Sequence, residues 1–186
     1  DLDITRYLGL LPELDELFEL LELLGAWGRV KLLREIEHSG KVFPLIGIVM
    51  GPEDKSVPTF GLFSGVHGLE RIGSRVSLAY LRTFIQLLQW DKNTQDILNR
   101  SRFVLLPIIN PVGMFLKRRS NGSGVDLMRN APVIADKLHP LSLYGGHRIS
   151  SRLPWYQGSL NAPMETEAQV LCEFVKEELF SSQLAI

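Results

Sequence analysis

The chain has 186 residues, 45% of them hydrophobic and 22% charged, and carries a formal net charge of −1. That is the length and composition of one ordinary globular domain with a sizeable core. It has no global basic field to favour nucleic acid or an acidic membrane surface, and no apolar run near the ~20 residues that span a bilayer.

Its single cysteine, Cys172, excludes an internal disulfide and suits a reducing compartment, so a cytoplasmic location is the expectation. Among Val170, Phe174 and Val175 that thiol reads as core filler. No signal peptide is visible, and a start at Asp1 rather than Met is compatible with a trimmed N-terminus.

From Leu10 to Leu24, leucines 10, 14, 17, 21 and 24 recur at helical spacing. Pro12 stands near the start, acids fill the first turn and Gly25 closes it. The polar face of this helix is acidic, which argues for packing on the chain's own sheet rather than on a membrane. Arg29–Glu37 and Val42–Met50 read as two strands joined at Gly40, a hairpin. A polar loop at 51–56 leads to a central buried strand, Pro58–Gly65.

A long helix is expected from Leu69 to Trp90, with Leu69, Ile72, Val76, Tyr80, Phe84 and Leu87 as its apolar stripe. A polar connection at 91–100 precedes another interior strand, Phe103–Ile109. Strand, helix and strand make a βαβ unit with a parallel pair, in which ligands collect beyond the carboxyl ends of the strands. Residues 111–163 are rich in Gly, Pro, Asn and Ser with little periodicity, the mark of a functional or disordered segment. A last helix, Met164–Leu179, is followed by what reads as the start of a strand at 184–186. The fold expected is α/β, with a mixed, largely parallel central sheet flanked by helices.

Two stretches carry chemistry. The first is Gly65-Val66-His67-Gly68-Leu69-Glu70-Arg71, where the central strand gives way to the long helix. Three residues apart on a first helical turn, His67 and Glu70 face one side, and an imidazole with a carboxylate suits zinc. Read blandly, the same pair is a helix start with a surface ion pair. The second is Arg118-Arg119-Ser120-Asn121-Gly122-Ser123-Gly124-Val125-Asp126-Leu127-Met128-Arg129-Asn130, downstream of Asn110-Pro111-Val112-Gly113. It is a glycine-rich loop offering guanidinium groups suited to a carboxylate or an oxyanion. Its bland readings are a solvated basic loop, or a phosphate or RNA contact, although aromatic interleaving is lacking.

Taken jointly, HGLER, NPVG and RRSNGSGVDLMRN resemble the zinc carboxypeptidases of the carboxypeptidase A type, whose pattern runs HxxE, NPDG, RxN and GVDLNRN. Order and spacing agree over about residues 58–175. The resemblance implies a zinc-dependent hydrolase of a peptide or amide substrate that carries a free carboxylate. His67 and Glu70 match the first two zinc ligands. Arg119 matches the arginine that polarises the scissile carbonyl, and Asp126 the carboxylate that orients the ligand histidine. Arg129 and Met128 occupy the pair that grips the substrate's terminal carboxylate.

The chain departs from the pattern in two ways. Met128 stands where the family has Asn, and a thioether cannot donate the amide's hydrogen bond; Val112 likewise replaces an Asp. The family's second ligand histidine and general-base glutamate are not found in the sequence, so 1–186 reads as the N-terminal part of one catalytic domain, its third ligand expected beyond Ile186. Alone it should be a poor catalyst. His38, His139 and His147 are the other histidines that could approach a metal, with surface or loop packing as their ordinary use. The rival functions are a deacylase of N-acyl amino acids and a silent binding domain on the same scaffold.

Overall fold

In a computed structural model, which describes residues 3–132, 146–178 and 182–185, five strands form one mixed sheet in the order β1-β2-β4-β3-β5. Gly28–His38 (β1) and Lys41–Met50 (β2) form the expected antiparallel hairpin, turning at Ser39-Gly40. Thr59–Phe63 (β3) runs parallel to both Arg102–Leu106 (β4) and Ser182–Ala185 (β5), while β4 pairs antiparallel with β2. The parallel pair β3–β4 requires a crossover, and Ile72–Leu88 (α2) with Lys92–Leu98 (α3) supplies it.

Each face of the sheet has its own core. On one, Pro12–Leu24 (α1) and α2 cover Ile46, Ile48, Met50, Leu62, Phe103 and Leu105. On the other, Thr166–Glu178 (α6) lays Phe174 against Val49, Phe63, Val104 and Leu106. The acidic face of α1 finds a partner within the fold: Glu13, buried, pairs with Arg71 and Arg75, and Glu16 meets Arg82 at 3.0 Å.

The inward face of α2 differs from the expected stripe. Ile72, Val76 and Tyr80 are exposed, and the buried face is Gly73, Ser74, Ser77, Leu78, Leu81, Ile85 and Leu88. Small residues win the N-terminal end because the helix closes tightly on the sheet there: Ser74 Oγ donates to the Pro107 carbonyl at 2.7 Å. A hydrophobicity stripe ignores such contacts and so selects the wrong side.

The region after β4 contains two short helices, Pro111–Phe115 (α4) and Leu127–Asn130 (α5), within otherwise irregular chain. Leu179 and Ile186, the last residues of the expected final helix and strand, lie outside the described residues, as does His139. No helix among the described residues is long and apolar enough to cross a membrane.

Candidate metal and substrate site

The carboxyl ends of β3 and β4 are laced together. Ser64 C=O accepts from Ile109 N–H and Gly65 C=O from Asn110 N–H, at 3.1 and 2.9 Å. Asn110, wholly buried, caps α4 by accepting from Gly113 N–H at 2.8 Å and donates from Nδ2 to the Val66 carbonyl at 3.0 Å. One side chain thus fixes the NPVG segment against the HGLE segment.

His67 and Glu70 do meet, but not on a helix. They occupy a turn before α2, closed by Glu70 N–H donating to the His67 carbonyl at 3.1 Å. Gly65 adopts φ +74°, open to glycine, and a Cβ on Gly68 would fall inside the Gly113 backbone. These two glycines let the turn sit directly on α4. His67 Nδ1 lies 3.2 Å from Glu70 Oε2, with the imidazole buried and the carboxylate exposed.

Asp126 is the node of the site. Buried at 1% exposure, it caps α5 and accepts from four donors. Oδ1 receives His67 Nε2 at 3.3 Å and Met128 N–H at 3.2 Å; Oδ2 receives Arg119 Nε at 3.0 Å and Arg129 Nη1 at 2.7 Å. Burial pushes its carboxyl up, but the hydrogen bonds from His67 and Arg119 outweigh that and hold it well below the usual carboxylate range. Donation of an Nε2 proton to Asp126 would leave the Nδ1 lone pair, on the side of Glu70, for a cation held between them.

Arg119 bridges the two groups, since its Nη1 also donates to Glu70 Oε1 at 2.7 Å. Arg129 stacks over Trp155 at 5.9 Å. The structure therefore brings His67, Glu70, Arg119, Asp126 and Arg129 into one cluster. Met128 stands beside it, 59% exposed.

The other described histidines, His147 and His38, lie outside this cluster. His147 donates from Nε2 to the Pro154 carbonyl at 2.8 Å and accepts Ile149 N–H at Nδ1. His38 ends β1 and sits against Gly122.

Sequence reasoning missed Asn121. Its Oδ1 accepts from Ser123 and Val125 N–H, and its Nδ2 donates to Glu165 and Glu167. It thereby shapes the loop that carries Arg119 and Asp126. Burial raises the Glu167 carboxyl, the Asn121 bond opposing it. Two acids at the start of α6 and an Asn in a glycine-rich loop were the available signal.

The donor chemistry of His67 and Glu70, one nitrogen and one oxygen converging, fits two positions of a zinc ion. Among the described residues no group of three or more His, Cys, Asp or Glu side chains is arranged to hold a metal. Beside the pair opens a cleft of about 610 Å3, walled by 117–120, 122–124 and 151–155.

A family model described as zinc carboxypeptidase matches residues 32–185. Carboxypeptidase E of Caenorhabditis elegans is 27% identical over 156 residues, 75% of this chain and 33% of that protein. Carboxypeptidase SOL1 of Arabidopsis thaliana is 28% identical over 107 residues, 56% of this chain and 22% of that protein. Among solved structures, thrombin activatable fibrinolysis inhibitor superposes with a TM-score of 0.70 at 16% identity, covering 92% of this chain and 45% of that one. The chain thus spans a third or less of the length of these two curated relatives.

Proposed function

The chain belongs to the zinc carboxypeptidase family, and on that premise we propose that it forms the metal- and carboxylate-binding part of an enzyme that releases the C-terminal residue of a peptide. The observation that carries this reading is the convergence of His67, Glu70, Arg119 and Arg129 around one buried carboxylate, Asp126.

His67 through Nδ1 and Glu70 would hold the zinc. A third ligand and a proton-shuttling carboxylate, which the reaction also needs, are not found beside this pair among the described residues. When bound, zinc supplies Lewis acidity and a water whose pKa is lowered to ~7. The residues of this chain do the rest. Asp126 keeps the His67 proton on Nε2, so that Nδ1 keeps its lone pair for the metal. Arg119, already donating to Glu70, offers its fork to the scissile carbonyl oxygen as negative charge grows there; losing such a donor typically costs ~10²–10³ in rate. Arg129, tied to Asp126 and stacked on Trp155, positions the substrate's terminal carboxylate.

Met128 favours a second reading, a binding domain without catalysis. Where the family has Asn, its thioether removes a hydrogen-bond donor from the carboxylate grip.

Mass spectrometry of N-acylated peptides incubated with the zinc-loaded full-length protein separates these readings. Loss of single C-terminal residues, abolished in Arg119→Ala, is the expected result. Turnover of N-acyl amino acids alone would identify a deacylase. Zinc binding without turnover of either would leave the binding domain.

A further inference from the structure

The cleft beside the His67–Glu70 turn carries more positive charge than the proposed reaction uses. Lys117, Arg118, Arg119 and Arg152 line it, with Asp126 as its one acid among the described residues. Asp126 is already committed to Arg119 and Arg129. Among the described residues, Lys117, Arg118 and Arg152 have no carboxylate partner, and all three are exposed. Three like charges facing one concavity repel each other, so the arrangement is stabilised by whatever anion enters.

Both walls are also held in a conformation that L side chains seldom adopt. Lys117 has φ 54° and Trp155 φ 67°. The third such non-glycine residue among the described ones, Ser39, belongs to the β1–β2 turn, where that geometry is ordinary. At Lys117 the geometry is that of a helix end: Arg118 N–H donates to the Gly113 carbonyl at 2.9 Å and Lys117 N–H to the Met114 carbonyl at 3.2 Å, closing α4, so it fixes the direction in which Arg118 leaves the helix.

The position of the cleft orients what it would bind. Arg119 stands within it, whereas Arg129 lines a neighbouring depression with Asn130, Arg148 and Gln157. On the reading that Arg129 takes the terminal carboxylate and Arg119 the scissile carbonyl, the preceding residues of the peptide run into the cleft. Its volume of about 610 Å3 is ample for a short segment. We infer that this cleft is a subsite for acidic side chains on the amino side of the scissile bond, with Arg118 and Arg152 reading the charge. Guanidinium forks suit that task because each can bond both oxygens of a carboxylate. This inference rests on the proposed function for its orientation, but its charge preference is measurable without catalysis.

The test compares fluorophore-labelled N-acyl peptides ending in Glu-Phe and Gln-Phe. Binding is read by fluorescence anisotropy on the metal-chelated protein, and hydrolysis separately on the zinc-loaded protein. The Glu peptide is expected to bind about tenfold more tightly at low salt, with the preference shrinking at high salt. In the Arg118→Gln/Arg152→Gln double variant the ratio falls toward one, and Arg118→Glu/Arg152→Glu reverses it. Such a preference without hydrolysis would support the subsite and count against the proposed enzyme. Hydrolysis of both peptides with equal affinity would overturn the subsite and leave the enzyme standing. Tighter binding of a single-stranded oligonucleotide than of either peptide would also overturn it.

Discussion

Replacing Asp126 with Asn changes one atom, keeps the shape and disables the node of the site. The carboxylate divides its donors evenly: Oδ1 serves His67 Nε2 and Met128 N–H, Oδ2 serves Arg119 Nε and Arg129 Nη1. An amide has one oxygen, so either rotamer strands two donors against an NH2 group. If the NH2 faces the arginines, two charge-assisted bonds are lost, each worth ~1.5–3 kcal/mol. Arg119 and Arg129 are 33% and 24% exposed and can turn partly to water, which discounts that sum to about 3 kcal/mol. If the NH2 faces His67, the imidazole must accept at Nε2 and carry its proton on Nδ1, the nitrogen proposed to meet zinc. Metal affinity then falls by ~10–100-fold, the usual effect of losing a ligand's supporting partner. Urea unfolding with unchanged slope reads the first effect, and competitive zinc titration reads the second. A variant within 1 kcal/mol of the parent (about a fivefold change in the folding equilibrium) that also binds zinc as tightly would refute the role given to Asp126.

Four further substitutions test the packing. Ile72→Ala, at a side chain 71% exposed, should leave stability within about 0.5 kcal/mol. Leu78→Ala, fully buried on the opposite face, should cost ~2–5 kcal/mol, and equal denaturation midpoints would restore the stripe read from sequence. Gly68→Ala places a Cβ in the Gly113 backbone; it should cost about 3 kcal/mol and weaken zinc binding by displacing Glu70, whereas a variant unchanged in both would mean the turn does not rest on α4. Glu178 is held below the usual carboxylate range because, although burial raises it, hydrogen bonds from Lys31 and Arg102 prevail. A depressed folded value means its contribution is present above the unfolded value of ~4.3 and lost as pH falls below it. Glu178→Gln, stranding the buried Arg102, should cost ~3–5 kcal/mol at neutral pH and flatten that acid loss; parallel stability–pH curves for parent and variant would contradict this.

What the sequence disclosed was set by how local the determining physics is. The hairpin at Ser39-Gly40 and the strand before His67 follow from alternation and glycine punctuation, and the structure has both. The cluster was legible because HGLE, NPVG and RRSNGSGVDLMR each end at a strand terminus or loop that the parallel pair brings together. Less local effects stayed hidden. The helical face of α2 depends on how closely Ser74 approaches Pro107, which an apolar stripe does not encode. Glu13 finds Arg71 and Arg75 across some sixty residues of chain, so the acidic side of α1 argued only against a membrane and named no partner. His67 and Glu70 were placed together correctly but by a helical repeat, when a reverse turn ahead of α2 does it. Asn121 looked like one more loop polar residue until its four partners were seen.

The central claim is that His67 and Glu70 grip one zinc ion. Competitive zinc titration of the full-length protein beside its His67→Ala variant tests that most directly. One zinc per chain is expected, with affinity lowered at least about 100-fold when the imidazole is removed, a difference of about 2.7 kcal/mol. Equal zinc affinity in parent and variant would contradict the site.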